Sequence, residues 1–132
     1  MDELVIDGGA TLSGVVTAQG NKNAAFPLIA AAVLTDQAIT LRNVPNISDV
    51  RAMLQIMEGL GVQVDQADPH TVTLRARTLR STAPDPALLR RIRGALVLMG
   101  PLLARAGEAR FGSSGGELIL SRSAGGDGNW LT

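Results

Sequence analysis

The sequence predicts an α/β chain (α+β), helix-rich with paired strands. Three observations carry that prediction. Apolar residues recur at helical spacing in two stretches, Val50, Met53, Leu54, Met57, Leu60 and Leu88, Ile92, Ala95, Leu96, Met99. Short runs rich in β-branched residues, such as Ile39-Thr40-Leu41 and Thr71-Val72-Thr73-Leu74, stand between and beside them. Gly, Pro and Asn punctuate the joins. The order is roughly βαβαββ, then αβ again. No internal sequence repeat is evident, although such a unit is one that can recur.

Taken in order, Leu4-Val5-Ile6 reads as a short strand and Gly8-Gly9 as a turn. Leu12 to Thr17 reads as a second strand, with Gly14 a weak point or bulge. Helix one is predicted from about Asn23 to Leu34. Its Pro27 is placed near the first turn, where a missing N–H costs little. Ala24, Ala25, Leu28, Ile29, Ala31, Ala32 and Val33 leave almost no polar face, so burial is expected. Ile39 to Val44 is a strand, Pro45 punctuates the entry to helix two, and Ser48 or Asp49 is its expected cap. Gly61 stops that helix. Val62-Gln63-Val64 alternates as a strand and pairs with Thr71–Leu74 across a turn. Helix three is predicted from Pro86 toward Ala106, with a bend at Pro101. Ala109-Arg110-Phe111 is a last short strand. From Gly112 the composition turns to Gly and Ser and reads as a loop, with a frayed end from Gly125 to Asn129. Trp130 is the one large aromatic near that end.

Composition limits the functions available. A chain of 132 residues can build one modest domain, and 45% hydrophobic residues suffice for its core. With aromatics at 2%, that core rests on Leu, Val, Ile, Ala and Met. Twelve basic and twelve acidic residues balance, which gives no general reason for nucleic-acid or membrane binding. No cysteine is present, so disulfides and thiolate metal sites are excluded. The single histidine, His70, cannot form a metal cluster alone and reads as a solvated turn residue. No metal and no cofactor is expected. The acidic start Met1-Asp2-Glu3 lacks the positive segment of a signal peptide. The apolar run Ala95–Leu103 is too short to span a bilayer and contains Gly100-Pro101. The expected location is cytoplasmic.

The most informative segment is Gly20-Asn21-Lys22-Asn23-Ala24-Ala25-Phe26-Pro27, where a Gly-punctuated turn runs into an apolar helix. A helix N-terminus offers unpaired N–H groups and a partial positive charge, and a lysine beside it completes a pocket for phosphate or carboxylate. An exposed capping asparagine next to a solvated lysine is the other reading of the same residues. On a helical wheel Arg93 lies at the edge of the Leu88–Met99 stripe, where its head can reach a cleft while its stem packs. Arg91 points the opposite way. Arg90 lies nearer Arg93 but also reads as a surface charge.

Three segments together resemble one family. They are Leu12–Thr17 with Gly20–Pro27 and the stretches Ala30–Asp36, Ile39–Pro45 and Asp49–Arg51; then Ile92-Arg93-Gly94-Ala95-Leu96-Val97-Leu98-Met99-Gly100-Pro101-Leu102-Leu103-Ala104-Arg105; then Gly115-Gly116 followed by Arg122. From about Leu4 to Arg122 the chain resembles the start of the UDP-N-acetylglucosamine enolpyruvyl transferases. The related shikimate-pathway transferases share the fold but carry a serine-containing context around their lysine that is absent here. The resemblance implies two lobes built from βαβαββ units, with the active site between them. Residues 1–20 would be strands that join the other lobe, 21–122 a partial lobe, and 123–132 a divergent Gly-rich tail. It implies transfer of the enolpyruvyl group of phosphoenolpyruvate to the sugar 3-hydroxyl of UDP-N-acetylglucosamine, the first committed step of peptidoglycan synthesis, through a tetrahedral intermediate.

The same resemblance assigns residues. Lys22 and Asn23 match positions that touch phosphoenolpyruvate and the nascent intermediate. Arg93 matches a substrate-contacting arginine and Arg122 a phosphate-facing one. Glu117 stands where the family carries a proton-donating Cys or, in a subset, Asp. After Arg122 the family's usual Pro-Val-Asp-Leu-His gives way to Ser123-Ala124-Gly125-Gly126. The family's presumed catalytic base, an aspartate, comes from a later region. The expectation is a shortened form that is inactive alone and self-associates through uncovered apolar surface. A non-catalytic α/β domain retaining part of an anion site is the alternative.

Overall fold

The computed structural model describes residues 3–113 and 116–121. Gly115, Arg122 and the tail 123–132 with Trp130 lie outside the described residues. The first helix, α1, covers Lys22–Ala31 and continues as a 3₁₀ turn at Ala32–Leu34. Asn21 caps it: its side-chain oxygen accepts from the Asn23 N–H at 2.7 Å, and its carbonyl from Ala24 and Ala25 at 3.2 and 2.9 Å. Pro27 falls in the second turn rather than the first, so it has no N–H to give the Asn23 carbonyl. Burial is one-sided. Ala25, Phe26, Ile29 and Ala30 are inside, whereas Leu28 is 53% exposed, contrary to a helix covered all round.

Strand β1, Ile39–Leu41, is shorter than predicted because Asn43 takes a left-handed φ of 56° and turns the chain. The pairing resumes once, with the Val44 N–H donating to the His70 carbonyl at 2.9 Å. Helix α2 is Ser48–Gly59. Ile47 occupies its cap position with no side-chain bond, so neither Ser48 nor Asp49 caps it; the Ser48 hydroxyl lies 3.5 Å from the Asp49 carboxylate instead. Val50, Met53, Leu54, Met57 and Leu60 are all buried as the stripe predicts. Gly61 ends the helix at φ 99°, a conformation that favours glycine.

Strands β2 (Gln63–Asp68) and β3 (Thr71–Arg75) form an antiparallel hairpin with a bulge between Gln66 and Asp68. The sheet order is β1-β3-β2. Val72, Leu74 and Ala76 turn inward to a single core shared with Ile29, Val33, Met53, Met57, Leu98 and Leu102. At the hairpin turn His70 is exposed, yet its Nδ1 lies 2.8 Å from the Val44 carbonyl and ties the turn to the entry of α2.

The predicted third helix is three pieces: α3 (Pro86–Arg91), a 3₁₀ stretch (Arg93–Leu98) and α4 (Met99–Ala106). The break falls at Ile92, with φ −133° and ψ 98°, and not at Pro101, which sits harmlessly in the first turn of α4. Arg105 fastens α4 by donating to the carbonyls of Val33, Ala76 and Arg77 at 3.2, 3.0 and 3.3 Å. Strand β4, Glu108–Ser113, then pairs antiparallel with β5, Gly116–Ser121, where the sequence reads as loop. Residues 3–20 contain no strand. Leu4–Ile6 and Leu12–Thr17 find no neighbouring strand among the described residues, and Leu12, Val15 and Val16 are 92, 97 and 94% exposed.

Candidate functional site

Asn21 caps α1 through its own side chain, and this puts Lys22 and Asn23 in the first helical turn. Lys22 Nζ lies 2.9 Å from Asp49 Oδ2, a residue of the first turn of α2. Two helix N-termini therefore converge on one ion pair. The two side chains are 47 and 38% exposed, so the pair is weak and an anion can take the lysine from it.

One turn below Lys22, on the same face of α1, lies Phe26. Its ring packs directly on Gly94, and a Cβ at Gly94 would overlap the ring. The contact brings the backbone next to Arg93 against α1. Arg93 lines a cleft of about 280 Å³ with Leu89, Arg90, Leu96, Phe111, Gly112 and Leu118. Arg90 and Arg93 are thus brought together over an apolar floor.

Glu117 is arranged differently. In the hairpin Glu117 faces Gly112 and Leu118 faces Phe111. Neighbouring strand residues point to opposite faces, and it is Leu118 that lines the Arg93 cleft. Glu117 is exposed and lies close enough to Arg110 for its charge to favour the guanidinium. Arg110 itself grips Glu108 at 2.9 and 3.2 Å. That grip, with a hydrogen bond from Thr82, holds the Glu108 carboxyl below its usual range. Arg122 lies outside the described residues. Among the described residues no group of three His, Asp or Glu could hold a metal, and no helix is long and apolar enough to cross a membrane.

Residues 6–123 match the family model described as EPSP synthase (3-phosphoshikimate 1-carboxyvinyltransferase). The chain is similar to the UDP-N-acetylglucosamine 1-carboxyvinyltransferase of Bradyrhizobium diazoefficiens, 39% identical over 91% of this chain and 28% of that one. It is similar to the same enzyme of Methylacidiphilum infernorum, 41% identical over 92% of this chain and 28% of the relative. Its structure resembles the enolpyruvyl transferase NikO from Streptomyces tendae, with a TM-score of 0.65 and 32% identity over 80% of this chain and 25% of that one. The chain belongs to the enolpyruvyl transferase family.

As an enolpyruvyl transferase chain it spans between a quarter and three tenths of the relatives it matches. Two features of its site escape sequence reasoning. Asp49 is separated from Lys22 by 27 positions and carries no local signal of the pairing. Gly94 sits inside an apolar run, where only the three-dimensional approach of Phe26 gives it a purpose.

Proposed function

We propose that this enolpyruvyl transferase chain forms one wall of a site that moves the enolpyruvyl group of phosphoenolpyruvate to the 3-hydroxyl of UDP-N-acetylglucosamine, the first committed step of peptidoglycan synthesis. The observation that supports the reading is the packing of Phe26, one turn from Lys22 on α1, against Gly94, the chain neighbour of Arg93. Both substrates are phosphorylated, and fixed cations there bind charge that grows in the transition state. In the reaction the hydroxyl loses its proton to a base, its oxygen bonds to C2 of the enol, and C3 gains a proton. Phosphate then leaves C2 as C3 gives up a proton, which restores the enol.

Within that scheme Lys22 supplies a point charge and Asn23 neutral hydrogen bonds to phosphoenolpyruvate. Arg93 contacts the substrates and Arg122 faces a phosphate group. Glu117 occupies the proton-donor position and serves only in its protonated form. The base comes from the remaining length of the relatives. A cytoplasmic location goes with soluble phosphorylated substrates, and no cofactor enters the scheme. By itself the 132-residue chain is expected to bind without turnover, because positioning fails when fixed groups are missing. Steady phosphate release by the chain alone, dependent on both substrates and on Lys22, would overturn that expectation.

A non-catalytic anion-binding domain is the second reading, favoured by Leu118 rather than Glu117 lining the Arg93 cleft. Co-expression with the unmatched remainder of a relative separates the two. Turnover that disappears in Lys22→Ala supports the transferase; binding without turnover in the complemented pair supports the second.

A further inference from the structure

Lys22 and Asp49 meet although 27 positions separate them. Each stands in the first turn of a helix, so their meeting depends on how the two helix entries are set against each other. The entry of α1 is Gly20-Asn21, and the entry of α2 is the loop 42–47 that follows β1. The entries meet at Gly20. A Cβ there would overlap the Asn43 carbonyl and would lie 2.9 Å from Pro45 Cδ. Glycine lets the two backbones approach that closely.

Asn43 supplies the other half of the contact. Its φ of 56° is the one left-handed value outside glycine among the described residues. Asparagine is among the few side chains that tolerate this conformation. The Asn43 amide reaches the Ala18 carbonyl only at 3.4 Å, so the turn of the backbone makes the contact and the side chain adds little.

The loop that carries the turn is itself fastened. The Val44 N–H donates to the His70 carbonyl at 2.9 Å, and His70 Nδ1 lies 2.8 Å from the Val44 carbonyl. A carbonyl only accepts, so His70 carries a proton on Nδ1 and donates it. Further along, Arg51 Nη1 donates to Asn46 Oδ1 at 2.7 Å, and the Ile47 N–H to the Pro45 carbonyl at 3.0 Å.

We infer that Asn43 is a positioning residue for Lys22. Its left-handed turn, braced by the β2–β3 hairpin through His70, seats Gly20 and so fixes the start of α1 against the start of α2, where Lys22 meets Asp49. An anion that takes Lys22 from Asp49 then finds a side chain already placed, which saves part of the cost of ordering it. The inference rests on the proposed reading of Lys22 as a phosphoenolpyruvate-binding group. It requires the backbone conformation at position 43 and not the asparagine side chain.

Variants of the full 132-residue chain test it. Asn43→Gly keeps the turn, Asn43→Val resists it through a branched side chain, and Gly20→Ala drives a methyl into the carbonyl. Circular dichroism melts set a temperature at which each is folded. Without ligand, an NOE between the Lys22 ε protons and the Asp49 β protons should appear in the parent and in Asn43→Gly, and should be absent in Asn43→Val and Gly20→Ala. In titrations with phosphoenolpyruvate beside UDP-N-acetylglucosamine, Asn43→Val and Gly20→Ala should each weaken binding at least about tenfold, whereas Asn43→Gly should stay within about threefold of the parent. A turn that only stabilises the fold would lower Tm and leave the affinity of the folded chain unchanged. Adding Lys22→Ala to Asn43→Val should cost no further affinity, because both act through one group. An NOE or an affinity that survives Asn43→Val and Gly20→Ala overturns the inference, and so does a loss in Asn43→Gly as large as in Asn43→Val. If the NOE pattern holds but the parent chain does not bind saturably, the substrate reading fails and the placement of Lys22 by Asn43 stands.

Discussion

At the residue scale the site turns on side chains whose partners were set by the fold rather than by sequence proximity. Lys22 stands at a helix start, where the dipole disfavours a cation, and Asp49 offsets this from the neighbouring helix. Asp49→Asn should therefore cost less than about 1 kcal/mol in stability, yet alter anion affinity through Lys22. Urea melts and anion titration of the same variant separate these effects. Asp68 offers a pH test. The His70 backbone N–H, then Thr71, hold its carboxyl below the usual aspartate range. A depressed folded value means that its stabilisation is present above the unfolded value, about pH 4, and is lost as pH falls through the folded one. The difference in Tm between the parent and Asp68→Ala should persist at neutral pH and shrink toward zero in strong acid. A gap that widens on acidification contradicts that assignment.

At the element scale the decisive contact is Phe26 on Gly94. Gly94→Ala forces a methyl into the ring, and overpacking of this kind costs about 1–3 kcal/mol. A shift of the denaturation midpoint at unchanged m-value would register it; an unaltered midpoint would show that the approach is slack. This contact also marks where sequence reasoning stops. The α2 stripe from Val50 to Leu60, the Gly61 stop and the β2–β3 hairpin were legible, because periodicity and turn chemistry are local properties. The region from Pro86 to Ala106 was not, because its unbroken apolar spacing carries no sign of the extended residue at Ile92. The wheel accordingly set Leu96 in the buried stripe, whereas it lines the Arg93 cleft at 54% exposure. β5 was read as loop on its Gly and Ser content, although Leu118-Ile119-Leu120 pairs regularly with β4. The strands expected before Asn21 lack neighbours here, since a strand exists only with its partner.

At the scale of the whole molecule, Lys22 and Asn23 begin α1, Arg93 begins the 3₁₀ stretch that packs on α1 through Gly94 and Phe26, and Glu117 stands on the hairpin face opposite the Leu118 that lines the Arg93 cleft. Under the proposed roles, binding and proton transfer fall to different elements, and binding is the property this chain should show unaided. The family was legible because Gly20–Pro27 and Ile92–Arg105 are the two segments that meet in space. The placement of Glu117 was not, because strand register decides which of two adjacent side chains enters the cleft. The central claim is tested most directly by titrating ¹⁵N-labelled chain with phosphoenolpyruvate in the presence of UDP-N-acetylglucosamine. Saturable shifts should appear at the amides of Lys22, Asn23 and Arg93, and affinity should fall at least about tenfold in Lys22→Ala and in Arg93→Ala, the loss of about one charge-assisted hydrogen bond. Shifts that do not saturate, or that survive both substitutions, would contradict it.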